Sequence, residues 1–172
     1  IVFIDGKVGN PQDIQGAVPP GAEVVILDPT QDGVLQIADA LAGRTGVDAI
    51  HIVSHGGEGS LRLGTAVLDA ASMQGTYAGA LSTIGHALSD HGDILVYGCD
   101  FTRGADGMQA AQLLSTLTGA DVAGSTDDTG TAALGGNWTL ETHIGDVDAI
   151  AIDAPEWNGI LAPLVISAQQ AP

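Results

Sequence analysis

Basic residues and cysteines are scarce in this chain of 172 residues. Four Lys and Arg residues stand against 21 Asp and Glu residues, giving a formal net charge of −17. A surface this acidic lacks the positive patch that nucleic-acid phosphates or anionic lipids require. The single cysteine, Cys99, excludes an internal disulfide and a metal site built from several thiolates. No apolar run reaches the roughly 20 residues of a membrane-spanning helix, so we expect no membrane insertion.

Aromatic side chains are also rare, at 3% of residues, although 45% of the chain is hydrophobic. The core must therefore be built mainly from Ala, Val, Ile and Leu. The length of the chain suits one folded domain. We expect that domain to span 1–162 and a polar, proline-bounded linker to span 163–172. The start without Met, inside an apparent strand, indicates a fragment of a longer polypeptide. Acidity with many Gly, Ala, Thr and Asp residues predicts a bacterial extracellular or cell-surface protein.

Short β-branched runs alternate with helical patterns along the chain, which predicts an α/β fold with a mostly parallel sheet. Predicted strands cover 1–5, 23–28, 49–54, 93–98 and 121–124, and predicted helices cover 33–42, 70–89 and 107–117. We further expect a small hairpin or excursion at the sheet edge at 61–68, an appended hairpin of 131–134 with 137–143, and a last strand at 149–153.

Two of the predicted strands end in reactive residues. Residues 51–57 read HIVSHGG and end just past His55, and residues 94–99 read ILVYGC and end at Cys99. The carboxyl ends of parallel strands form the ligand-binding edge of an open α/β sheet. If the two strands are neighbours, about 4.8 Å apart, the imidazole and the thiol come within reach of each other.

These residue types suit nucleophilic catalysis. A Cys99 thiolate would attack a carbonyl carbon, and His55 would take the thiol proton and later protonate the leaving amine. The N–H groups of Gly56 and Cys99 could then hold the developing oxyanion. The alternative is structural, because a lone cysteine is most often a small buried hydrophobe and a lone histidine a hydrogen-bonding group.

Four stretches carry a resemblance to known proteins: 51–57, 93–99, 117–125 (LTGADVAGS) and 134–140 (LGGNWTL). The strand–His-Gly and strand–Cys pattern resembles the caspase–legumain–gingipain clan of cysteine peptidases. Nearly the whole chain resembles a bacterial domain of unknown function from the amino ends of giant adhesins and cadherin-like surface proteins. The resemblance implies a caspase-like sheet flanked by helices, with an appended C-terminal hairpin and a catalytic dyad of His55 and Cys99.

The same resemblance implies a pocket for the residue before the scissile bond. In the clan, the turn after the fifth strand lines this pocket; here it reads Ser125, Thr126, Asp127 and Asp128. A residue after the first strand often joins it, which points to Asp5. The arginines by which caspases hold aspartate have no counterpart here. An acidic pocket predicts a preference for Lys or Arg, although the same acidic residues also suit solvated turns.

No cofactor or metal site is predicted, although two acidic loops, 127–130 and 145–148, could bind calcium through oxygen ligands. Neither loop matches an EF-hand, so solvated turns are the alternative. His51 and His55 are spaced four apart, but a zinc site would need further ligands.

Two functions fit these residues. The first is a cysteine peptidase domain that processes its own parent chain or a neighbouring polypeptide, with Arg103, just after Cys99, as the internal cleavage site to watch. The second is a non-catalytic folding or assembly module of an adhesin that keeps the peptidase scaffold. The sequence leaves the oligomeric state open.

Overall fold

The computed structural model describes residues 1–162, so the predicted linker at 163–172 lies outside the described part. Strands are β1 Val2–Asp5, β2 Val24–Leu27, β3 Val47–Val53, β4 Gly56–Gly57, β5 Ser60–Leu63, β6 Ala66–Asp69, β7 Leu88–Val96, β8 Asp121–Gly124 and β9 Thr142–Ile144. Helices are α1 Pro11–Gln15, α2 Gly33–Leu41, α3 Ala70–Gln74, α4 Ala78–Ala87 and α5 Gly104–Thr118, with a 3₁₀ turn at Ala132–Leu134.

Six strands form the main sheet in the order β2-β1-β3-β7-β8-β9. Every neighbouring pair is parallel except β8 and β9, which are antiparallel. Strands β4, β5 and β6 form a separate antiparallel sheet. The predicted α/β class, with its mostly parallel sheet and appended antiparallel hairpin, is therefore confirmed.

Alternation along the strands divides the core between the two faces of the sheet. Phe3, Ile52 and Val96 belong to the apolar cluster that includes residues of α2, α4 and α5. Ile4 and Tyr97 belong to a second cluster on the opposite face, which the C-terminal segment completes. That second cluster also contains Val53, Leu95, Cys99, Trp138, Trp157 and Leu161.

Local chemistry sets the helix boundaries on the first face. Asp32 caps α2 by accepting a 3.0 Å hydrogen bond from the amide of Leu35. Tyr77 Oη donates to the other oxygen of Asp32 at 2.6 Å. The predicted helix at 70–89 is two helices, because Gly75 adopts a non-helical backbone conformation (φ −109°, ψ −100°) that ends α3.

The appended hairpin consists of β8 and β9, so the predicted pairing of 131–134 with 137–143 is wrong. Asn137 pairs with the preceding loop instead, donating from its amide to the carbonyl of Asp128 and accepting from the amide of Gly130, both at 3.0 Å. The turn at Ala132–Leu134 links these segments.

The strand predicted at 149–153 is also wrong, since this segment is irregular. Its amides donate to side chains rather than to a strand: Ala149 to Asp93 Oδ2 at 2.8 Å and Ile152 to Tyr97 Oη at 2.9 Å. Side-chain acceptors thus replace the backbone ladder that a strand would need. Among the described helices, none is long and apolar enough to cross a membrane.

Asp93 holds the C-terminal segment against the sheet, because its Oδ2 also accepts from the amide of Asp148 at 2.9 Å. We expect Asp93→Ala to lower the free energy of unfolding by about 1–3 kcal/mol, since two hydrogen bonds to a buried carboxylate are lost. Asp90→Ala, at an exposed position of the same strand, should change it by less than about 0.5 kcal/mol. Urea unfolding of both variants measures the difference, and equal stabilities would contradict this role of Asp93.

Candidate active site

The site lies where β3 and β7 end side by side. The two strands are direct neighbours in parallel register, with Ile52 opposite Val96. The chain therefore brings His55, two residues beyond β3, and Cys99, three residues beyond β7, to the same carboxyl edge. His55 is half-buried and Cys99 is fully buried.

Two glycines let the loops after these strands touch. A Cβ atom on Gly56 would lie 2.8 Å from Cα of Gly98, and one on Gly98 would lie 3.0 Å from Cα of Gly56. Distances this short exclude an ordinary side chain at Gly56 unless the backbone moves. The glycines beside His55 and Cys99 therefore set how closely the two loops approach.

Two backbone amides converge on a single oxygen at this contact. Gly56 N–H donates to the carbonyl of Leu161 at 3.1 Å, and Cys99 N–H donates to the same oxygen at 3.2 Å. These are the two amides that the sequence analysis assigned to an oxyanion. A carbonyl that accepts both is polarised toward negative charge on oxygen, as in an oxyanion hole.

The imidazole of His55 contacts the next residue of the same segment. Its Nδ1 lies 2.8 Å from the carbonyl oxygen of Ala162. Because a carbonyl oxygen only accepts, this hydrogen bond needs the proton on Nδ1. The two amides therefore hold the carbonyl of Leu161, and the imidazole holds the carbonyl of the next residue.

The thiol of Cys99 is held by Thr129, in the loop after β8. The amide of Thr129 donates to Sγ at 3.1 Å, and Sγ lies 3.7 Å from the carbonyl oxygen of Thr129. Burial raises the pKa of the thiol to about 12, and the negative charges of Asp128, Asp100 and Asp127 act in the same direction. The thiol is thus protonated at neutral pH while the segment at 159–162 covers it.

Asp5, expected in the substrate pocket, is buried at the end of β1. Its Oδ1 accepts from the amide of Gly64 at 3.2 Å, and its Oδ2 has no partner among the described residues. Desolvation raises the pKa of this carboxyl, although the nearby amides and the positive charges of Lys7 and His55 partly oppose the shift. Asp5 is close enough to His55 for their charges to interact, and it is fully shielded from solvent.

The turn expected to line the pocket is held by its own hydrogen bonds. Ser125 Oγ donates to the carbonyl oxygen of Asp127 at 2.9 Å, and Thr126 N–H donates to Glu141 Oε1 at 2.9 Å. Asp127 and Asp128 are exposed and line a recess of about 380 Å³ that also includes Asp100 and Arg103. A role for Ser125, Thr126 and Asp127 in substrate recognition stays a prediction.

His51 lies within β3, before the carboxyl edge of the sheet. Its Nδ1 lies 2.8 Å from Tyr97 Oη, and the two rings stack with centroids 5.8 Å apart. Burial, with a smaller effect from the charge of the N-terminal amine, lowers the pKa of His51 to about 4. Within residues 1–162, no group of three or more His, Cys, Asp or Glu residues is placed to hold a metal ion.

Sequence reasoning missed the segment that occupies this site. Leu161 and Ala162 contact residues more than 60 positions earlier in the chain, so no local pattern marks them. Thr129 was missed for the same reason, since its amide reaches a thiol 30 residues away. The only available signal was the general expectation that the domain processes its own chain.

Comparison with known proteins gives a family but no function. The sequence profile of the family described as "Domain of unknown function (DUF4347)" matches residues 1–161. Neither the curated proteins nor the solved structures gave a match. Because the family match covers nearly the whole chain, the protein belongs to the DUF4347 family.

Proposed function

We propose that this domain is a cysteine endopeptidase of the caspase-like type, with Cys99 as nucleophile and His55 as general acid and base. The observation that carries the proposal is the convergence of the Gly56 and Cys99 amides on one peptide carbonyl, beside a histidine that presents a proton. A carbonyl held by two amide donors is activated for attack by a nucleophile.

The reaction follows from these positions. His55 takes the proton of Cys99, and Sγ bonds to the carbonyl carbon while the oxyanion is held by the amides of Gly56 and Cys99. The carbon–nitrogen bond then breaks, and the proton moves from His55 to the departing amine. Water, losing a proton to His55, attacks the resulting thioester and releases a carboxylate and the thiol.

A polypeptide is the substrate class that suits this site, and the parent chain of the domain is its first substrate. The net charge of −17 favours a setting outside the cell, in a large bacterial surface or secreted adhesin. The resemblance of the His-Gly and Gly-Cys stretches to the caspase–legumain–gingipain clan supports the same assignment.

Labelling by a peptidyl chloromethyl ketone tests the proposal, with the modified residue located by mass spectrometry. We expect covalent labelling at Cys99 in the wild-type chain. His55→Ala should slow it by about 10²–10⁴-fold, because the general base is lost. His91→Ala, at an exposed position on β7, is the matched control and should label at the wild-type rate.

Cys99→Ala should abolish both labelling and any cleavage by the chain, while near-ultraviolet circular dichroism reports whether it folds. A wild-type chain that neither takes the probe nor cuts any peptide bond would refute the peptidase. Labelling that is equally fast without His55 would also refute the dyad.

Burial of the thiol favours one second candidate, a non-catalytic assembly module that keeps the scaffold. Cys99 is fully buried and its thiol pKa is raised to about 12, as expected for a packing cysteine. In that case Cys99→Ala would cost several kcal/mol of stability, about as much as other core truncations. In a peptidase whose segment at 159–162 leaves the site, Cys99→Ala would lower the free energy of unfolding by less.

A further inference from the structure

The segment at 159–162 crosses the candidate active site in the manner of a bound peptide. Gly130 and Ile160 form an antiparallel bridge. On either side of it, the amide of Thr131 donates to the carbonyl of Gly159 and the amide of Leu161 donates to the carbonyl of Thr129, both at 2.9 Å. Addition of an extended strand to a free edge is a common way for proteins to bind peptides.

The pairing depends on a glycine. Gly130 adopts φ +145°, and a Cβ atom there would lie 2.2 Å from the carbonyl oxygen of Gly159. Only glycine permits both the conformation and the close approach. The loop after β8 is therefore shaped to accept the backbone of this segment.

The register of the segment places one peptide bond at the reactive groups. The carbonyl that accepts from Gly56 and Cys99 belongs to Leu161, and the carbonyl next to His55 belongs to Ala162. The nitrogen of Ala162 lies between these two carbonyls in the chain. It is thus the amine that His55 would protonate.

From this register we infer that the domain cleaves its own chain between Leu161 and Ala162, with a buried Leu as the residue before the scissile bond. The inference rests on the proposed function and names its substrate. Sγ of Cys99 bonds to the carbonyl carbon of Leu161, the bond to the nitrogen of Ala162 breaks, and that nitrogen takes the proton from His55. Water then releases Leu161 as a carboxylate, so the domain ends at Leu161.

The environment of Leu161 sets the specificity. Its side chain is fully buried in the apolar cluster that includes Val53, Tyr97 and Cys99. A Lys or Arg there would place a charge among apolar groups, which is costly without a partner. The Lys or Arg preference predicted from Asp5 and Asp127 therefore does not apply to this bond.

Intact-mass analysis of the purified chain, under reducing conditions and over a range of pH, tests the site of cleavage. We expect a product ending at Leu161 and a peptide beginning at Ala162, while Cys99→Ala remains whole. Because the bond is already seated in its own molecule, the rate should not depend on protein concentration. A Cys99→Ala chain mixed with the wild type should stay uncut.

The outcomes separate this inference from the proposed function. Cys99-dependent cleavage elsewhere, such as after Arg103, overturns the inference and leaves the peptidase standing. Probe labelling at Cys99 without any cleavage also overturns the inference and leaves the peptidase standing. In that case the segment at 159–162 only blocks the site. Equal cleavage in Cys99→Ala overturns the inference, and the absence of both cleavage and labelling overturns both.

Variants at Leu161 test the specificity. Leu161→Ala should slow cleavage by about 10–100-fold, because the apolar contacts that seat the bond are lost. Leu161→Met should restore most of the rate. Ile150→Ala, at an exposed position outside the segment, is the matched control and should stay within a few-fold of the wild type.

Leu161→Arg compares the two specificities directly. We expect it to stop cleavage, whereas faster cleavage would assign the site to basic residues and overturn the Leu preference.

Trp138 and Trp157 pack edge to face with centroids 5.9 Å apart. Their near-ultraviolet circular dichroism shows whether each variant keeps the second core cluster.

Discussion

Gly56→Ala is expected to reduce Cys99-dependent labelling and self-cleavage by about 10²–10³-fold, the effect of losing an oxyanion donor. The added Cβ would lie 2.8 Å from Cα and 2.9 Å from the carbonyl carbon of Gly98. Backbone atoms cannot rotate aside as a flexible side chain can, so the two loops must separate. Their amides then no longer converge on one oxygen. Labelling rates and intact-mass time courses measure the loss.

Two further glycines provide the controls. Gly98→Ala should act more mildly, because its Cβ first meets the flexible end of Leu61, at 2.7 Å. Gly79→Ala, within α4, would meet nothing within 4 Å. It should keep full activity and gain about 0.5–1 kcal/mol of stability. A Gly56→Ala chain that folds and reacts at the wild-type rate would remove these amides from the mechanism.

Acidification is expected to destabilise the fold through His51. Its pKa is about 6.5 in the unfolded chain and about 4 in the folded one, so the unfolded chain binds more protons between these values. Stability is therefore complete above pH 6.5 and falls as the pH drops toward 4. The largest loss from this residue is about 3 kcal/mol. Urea unfolding across this pH range measures it.

His51→Gln separates this effect from other titrating groups, because glutamine can still bond to Tyr97 Oη and does not titrate. We expect its stability to change less between pH 6.5 and pH 4 than that of the wild type. Asp5 acts in the opposite direction, since its raised carboxyl pKa favours the folded chain at lower pH, but it is common to both proteins. Identical pH slopes would show that His51 does not cause the loss.

The sequence determined most of the strands up to β8, because the residue patterns that mark a strand are local. Apolar runs that end in His-Gly and Gly-Cys marked β3 and β7. The cap of α2 at Asp32 is local in the same sense, since its side chain bonds to an amide three residues ahead. The adjacency of β3 and β7 was only a condition of the sequence argument, and the structure shows that the two strands are neighbours.

Predictions failed where the partners are side chains far along the chain. The segment at 149–153 has a strand-like composition, yet Asp93 and Tyr97 take its amides. The hairpin predicted at 131–143 failed for a different reason, because the backbone of Asn137 pairs with Asp128 and Gly130 of the loop after β8. Alternation of residue types specifies which side chains face the core, but it does not specify which acceptor each amide finds.

Sequence alone determined the residue types of the site: a thiol, an imidazole and flanking glycines at two strand ends. Only the tertiary structure decided what lies against them. Leu161 reaches the amides of Gly56 and Cys99 because Gly130 allows the segment at 159–161 to pair with the loop after β8. That contact joins three distant parts of the chain and depends on backbone geometry, which residue order does not encode locally.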